Sequence, residues 1–160
     1  MNDLVNHPPH YAKHPSGIEC IEITELLPFT LGNAFKYAWR AGNKFDTVED
    51  WRKARWYLTR LEENLPDYLY NAMFNPPTSL VAVIDRDVIR VVQHEEDNTK
   101  RLIMYHISAA FTEYNKLFEH VERAIELIEE KLNELGYAPD EEKTDKQADW
   151  VSIVQASSQN

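Results

Sequence analysis

The chain has 160 residues, 43% of them hydrophobic, which suffices for one domain with an appendage and a buried core. Its formal net charge of −10 excludes the basic footprint that duplex DNA requires, and it has no run of ~18 apolar residues to cross a bilayer. The single cysteine, Cys20, cannot close an internal disulfide and the first residues lack the apolar stretch of a signal peptide, so a reduced, cytoplasmic setting is expected.

Residues 1–16, rich in Pro, His and Asn, read as an extended arm. Ser16 and Glu19 then stand at capping-box spacing beside Ile18, Ile21, Ile23, Leu26 and Leu27, which predicts a short helix ended by Pro28. Thr30 is placed to cap a second helix running to about Ala41, and Gly42 to stop it. Thr47 and Asp50 form a box-like start for a third helix. Its stripe of Val48, Trp51, Ala54, Leu58, Leu61 and Leu65 advances by threes and fours until Pro66. Pro76 and Pro77 break the connector that follows. Over 80–92 the β-branched residues fit a hairpin turning at Asp85-Arg86-Asp87. The apolar positions 80, 83, 84, 88, 91 and 92 keep a helical period throughout, and helix is the preferred reading.

Residues 99–135 carry the longest pattern. Ile103, Ile107, Ala110, Tyr114, Leu117, Val121, Ala124 and Ile128 alternate steps of 4 and 3, a heptad seam. One helix over this range would be ~55 Å long. Three short helices cannot cover such a seam, so a homo-oligomer through 99–135 is expected, with a hairpin against the 80–95 segment as the alternative. The charged tail from Pro139 is expected to be mobile, with Trp150 and Val151 able to dock. The expected fold is therefore all-α: a compact three-helix domain over 1–66, a helical hairpin or long coiled-coil-like helix within 67–137, and an acidic tail over 138–160.

The charge is uneven. Between 36 and 60 seven basic residues face three acidic ones, whereas residues 66–160 hold 9 basic and 18 acidic. A basic island in an acidic chain suits a small anion better than a polymer. Neither G-x-x-x-x-G-K-[ST] nor G-x-G-x-x-G occurs, so a phosphate site must use side chains and helix ends. Lys36, Tyr37 and Arg40 share one helix face, with Asn33 beside them and Lys44 just beyond. The next helix offers Lys53, Trp56, Tyr57 and Arg60 at similar spacing. Antiparallel packing would bring the two faces to one rim, with Arg and Lys for phosphate oxygens and the rings for a base. The competing reading is a solvated basic face with core aromatics.

Two metal readings are weaker. His7, His10 and His14 lie in the arm without a cysteine or an H-E-x-x-H helix. The E-x-x-E spacings of Glu19, Glu22 and Glu25, and of Glu119, Glu122, Glu126 and Glu129, fit magnesium but are also ordinary for solvated faces. No metal ligand is assigned.

The runs VNHPPHY, GIECIE, LGNAFKYAWRAGNK and DWRKARWYL, spanning residues 5–63, resemble a small phage-encoded nucleotide kinase-like domain family, many of whose members have no assigned function. The resemblance implies a phage-type deoxynucleoside monophosphate kinase that works without a P-loop, in the host cytoplasm. The alternative is a protein that binds or sequesters nucleotides without turning them over. On this reading Lys36, Arg40, Lys44 and Lys53 clamp charge, and Asn33 and Tyr37 orient the nucleotide. Tyr57 stacks, His10 and Tyr11 close the site from the arm, and Asp50 or Glu19 orients an acceptor or metal. The cofactor is left open, with magnesium the candidate. Nucleotides are the expected partners, without duplex nucleic acid or membrane.

Overall fold

The computed structural model describes residues 14–43, 46–64 and 76–137. Among these the protein is all-α, without a strand. The helices are α1 (Cys20–Thr24), α2 (Phe29–Arg40), α3 (Thr47–Asn64), α4 (Thr78–His94), α5 (Asn98–Thr112) and α6 (Leu117–Glu134), with a 3-10 turn at Tyr114–Lys116. No described helix is long and apolar enough to cross a membrane.

The helices α2, α3, α6 and α5 pack each on the next, and α5 packs back on α2, closing a four-helix ring. The helix α4 lies against α5, and α1 bridges α2 and α4. One continuous core runs through the ring, from Leu31, Phe35 and Trp39 of α2 and Trp51 and Leu58 of α3 to Ile103 and Ile107 of α5 and Val121 and Ile128 of α6. Core residues from Ile18 to Leu61 and from Ile84 to Leu132 thus belong to one core. Each fully buried large side chain contributes about 1.5–3 kcal/mol, so the two halves of the ring depend on each other.

The stripe expected on α3 is buried at Trp51, Ala54, Leu58 and Leu61, with Val48 at its edge. Leu65 and the tail from Pro139, including Trp150 and Val151, lie outside the described residues. Residues 80–92 form helix α4, burying Ile84, Val88 and Val91.

The single helix expected over 99–135 is instead two. The chain leaves helical geometry at Glu113 (φ −110°, ψ 55°), passes through the 3-10 turn and reverses. Neither proline nor glycine marks the break. Thr112, Tyr114 and Asn115, around Glu113, are of middling to low helix propensity, and Tyr114 is exposed although the heptad pattern counts it in the seam. The rest of the seam closes on itself: Ile103, Ile107 and Ala110 of α5 and Leu117, Val121, Ala124 and Ile128 of α6 are all buried within one chain. An uncovered seam was the physical ground for expecting a homo-oligomer, and that ground is removed. Within the chain α5 packs both on α6 and on α4, which covers most of the 80–95 segment.

The helix starts also differ from expectation. The capping box of α1 pairs Glu19 with Glu22, whose carboxylate accepts from the Glu19 N–H at 2.7 Å, while the Ser16 hydroxyl accepts from the Ile18 N–H. Pro28, not Thr30, is the N-cap of α2. At α3 the Asp46 carboxylate, not Thr47, accepts from the Glu49 N–H at 2.8 Å. Gly42 follows the C-cap of α2 with φ +84°, a conformation that costs glycine little. At Gly32 a Cβ would stand 2.8 Å from the Thr24 carbonyl oxygen, so glycine there lets α1 lie close on α2. Cys20 of α1 is buried, and burial pushes its thiol up to about 12.

Candidate anion site on helices α2 and α3

Helix α3 runs back along α2. Arg40 meets Asp50, and Tyr37 meets both Lys53 and Tyr57. Three cations from the two helices gather on one ring. Around Tyr37 the Lys36 Nζ lies 4.6 Å, the Arg40 Cζ 5.0 Å and the Lys53 Nζ 5.6 Å from the ring centroid. The electron-rich ring face stabilises this grouping, which mutual repulsion would otherwise spread. Tyr57 stacks beside it at 5.9 Å and 16°. The local reason is helical spacing: residues 36, 37 and 40, and 53 and 57, recur one turn apart, on faces that border the apolar stripes, with Tyr37 and Tyr57 packed against the core edge.

The cations are not equivalent. Arg40 donates from Nε to both Asp50 carboxylate oxygens, at 3.0 and 2.9 Å, and from Nη2 as well. Asp50 is buried. This forked pairing satisfies the carboxylate and fixes the Arg40 charge against it, so Arg40 ties α2 to α3. Lys53 pairs with Glu49 one turn earlier, and that hydrogen bond raises its pKa. Among the described residues Lys36 has no carboxylate partner. Its Nζ donates to the Asn33 Oδ1 at 2.7 Å, and the Asn33 amide donates to the Phe29 carbonyl at 2.8 Å. Partial burial lowers the Lys36 pKa, and the Arg40 and Lys53 charges lower it further. Lys36 is therefore the cation that gains most from an incoming anion, which would relieve both the repulsion and the missing counter-charge.

Of the expected site residues, the structure brings together Lys36, Tyr37, Arg40, Lys53 and Tyr57, with Asn33 holding Lys36. His10, Tyr11 and Lys44 lie outside the described residues. Asp50 is engaged by Arg40, and Glu19 by the α1 cap, so neither stands ready to orient an acceptor or metal. No group of three or more His, Cys, Asp or Glu side chains is placed to hold a metal ion among the described residues. His14 instead bonds Ser16 (2.8 Å) and lies against Trp39, while Glu126 and Glu129 pair with Arg123 and Arg55. Sequence reasoning missed Phe29, an exposed ring beside Tyr57. The available signal was its place off the Leu31, Ala34, Phe35 and Ala38 stripe of its helix.

A second charged cluster supports α2 from the core side. Lys100 of α5, buried, donates to the Ala41 carbonyl at 3.0 Å and lies 3.2 Å from the Glu95 carboxylate. It satisfies a carbonyl left open at the C-terminal end of α2 and complements the helix dipole there. Burial resists ionisation of Glu95, but the His14 ring, the Lys100 charge and the Asp97 N–H outweigh it and hold the carboxyl at about 2.

Comparison with known proteins places residues 5–59 in a match to the family model DUF3310, whose members are described as proteins of unknown function. No curated protein and no solved structure matches the chain. The expected nucleotide kinase-like family is corrected accordingly: the family that matches over nearly the same residues carries no assigned activity, and nothing found links it to nucleotide kinases. The match covers α1, α2 and most of α3, and with them the cation-and-ring cluster.

Proposed function

We propose that the face formed by α2 and α3 binds a nucleotide through its phosphate and holds it without turning it over. One observation carries this reading: Lys36 and Lys53, from two helices of an acidic chain, are gathered at the Tyr37 ring with one of them lacking a carboxylate partner among the described residues. The Tyr37 ring holds these charges together, and an anion is the partner that would relieve their remaining repulsion. Binding is favoured over phosphoryl transfer because the guanidinium expected at the centre of the charge clamp, Arg40, is spent on Asp50. Stabilising a transferring phosphoryl group is chiefly a matter of such positioned charge.

The test is a calorimetric titration of the purified chain with nucleoside mono- and triphosphates, with and without magnesium, followed by analysis of the same mixtures for diphosphate products. Saturable binding without product is the expected result. Diphosphate formation from a triphosphate and a monophosphate would replace the binding reading by a kinase one, and absence of any heat of binding would sink both.

A further inference from the structure

We infer that Phe29 and Trp56 form the shelf on which the base of a free nucleotide lies while Lys36 and Lys53 hold its phosphate. The inference rests on the binding reading above and adds the part of the ligand that the cations do not select. Among the described residues Phe29 (77% exposed) and Trp56 (52%) are the most exposed aromatic rings. Both rings meet the same neighbour edge-on: Phe29 and Tyr57 are 6.2 Å apart at 76°, Trp56 and Tyr57 4.9 Å apart at 86°. Tyr57 in turn stacks on Tyr37, the ring at which the cations converge. A continuous aromatic surface thus leads from the two exposed rings to the positive charge.

Tyr37 and Tyr57 are occupied with each other, which leaves the outer rings as the ones able to take a base. The Arg60 guanidinium lies 5.6 Å from the Trp56 ring and adds positive charge to the shelf itself. Rings flanked by cations select a ligand that is both flat and anionic. A free nucleotide fits better than a strand. The cations are few, Glu49, Glu62 and Glu63 lie on the same helix, and successive phosphates of a polymer would run onto a chain of net charge −10.

The experiment compares the full chain with a Phe29→Leu/Trp56→Leu variant, which keeps both side chains apolar and removes both rings, after circular dichroism has established equal helix content. Each is titrated with the four deoxynucleoside monophosphates, with deoxyribose 5-phosphate and with a ten-residue single-stranded DNA. The parent is expected to bind at least one monophosphate about tenfold or more tighter than deoxyribose 5-phosphate, the scale of one base stacked on an aromatic side chain. The variant should lose that preference while its affinity for deoxyribose 5-phosphate stays unchanged. An undiminished preference in the variant overturns the shelf but leaves the phosphate reading intact. A parent that binds neither ligand overturns both. An oligonucleotide bound far more tightly than any monophosphate overturns the assignment to a free nucleotide. Loss of helix in the double variant moves the same comparison to Phe29→Leu and Trp56→Leu singly.

Discussion

Lys36, on α2, and Lys100, which reaches the C-terminal end of α2 from α5, both act on the buried Cys20 thiol through their charge. Their situations are opposite. Lys100 is sealed in the core with the Ala41 carbonyl and the Glu95 carboxylate, so its charge is fully used by the fold. Lys36 stands among like charges with only an amide oxygen. Arg40 falls between them: it belongs to the cationic face by position and to the fold by its bonds to Asp50. Position alone does not tell a binding cation from a structural one; the state of its partners does.

Lys100→Met breaks that comparison most severely. It leaves Glu95 without its cation and the Ala41 carbonyl without its donor, and stability measured by urea unfolding should fall by about 3–5 kcal/mol, the cost of breaking a buried pair. Asp50→Asn comes next. The amide still accepts a hydrogen bond but cannot balance Arg40, so a loss of about 1.5–3 kcal/mol is expected in the same assay. If Arg40 is structural, phosphate affinity in that variant stays level or rises; a clear fall would return Arg40 to the binding set. Lys36→Ala should do the reverse, leaving the unfolding midpoint nearly unchanged while weakening nucleotide binding about tenfold, the scale of one charge-assisted hydrogen bond.

The smallest effects are titrations. Glu95 has a folded pKa of about 2 against an ordinary 4.5, so its contribution is complete above pH 4.5 and is lost as pH falls toward 2. Unfolding midpoints over that window should drop in the parent and drop less in Lys100→Met. His106, whose Nδ1 lies 2.9 Å from the Nδ1 of His120, is also shifted down, but because its charged form is disfavoured. Burial lowers its pKa below the ordinary 6.5, helped by His120 and Arg123 and opposed by Glu113. Above pH 6.5 it contributes nothing. As pH falls below that value the unfolded chain takes up the proton first and stability declines, a trend that His106→Gln should remove.

The buried stripes were legible because burial repeats with the helical period. Trp51, Ala54, Leu58 and Leu61 stand where their spacing puts them. The reversal at Glu113 was not, since the heptad steps run through it and no breaker residue interrupts them. Caps were missed by one to three residues at Glu19, Pro28 and Asp46, because neighbouring polar side chains compete for the same few N–H groups. At the candidate site, the gathering of Lys36, Tyr37, Arg40 and Lys53 followed from one-turn spacing on two helices. Asp50 was read as a cap although it lies one turn inside α3, facing Arg40 across the bend. Lys100, 59 positions from Ala41, has no local signature. Contacts within a turn are written in the sequence, and contacts between helices are written only in the packing.

Cys20 gives the molecule a stopwatch. It is the chain's one thiol, it is shielded, and at neutral pH it is held in its unreactive protonated form. A maleimide can reach it only when α1 lifts away from its neighbours, so the labelling rate clocks that excursion. Because α1 rests on α2 through the close contact at Gly32, a ligand that steadies α2 should slow the clock without touching the sulfur.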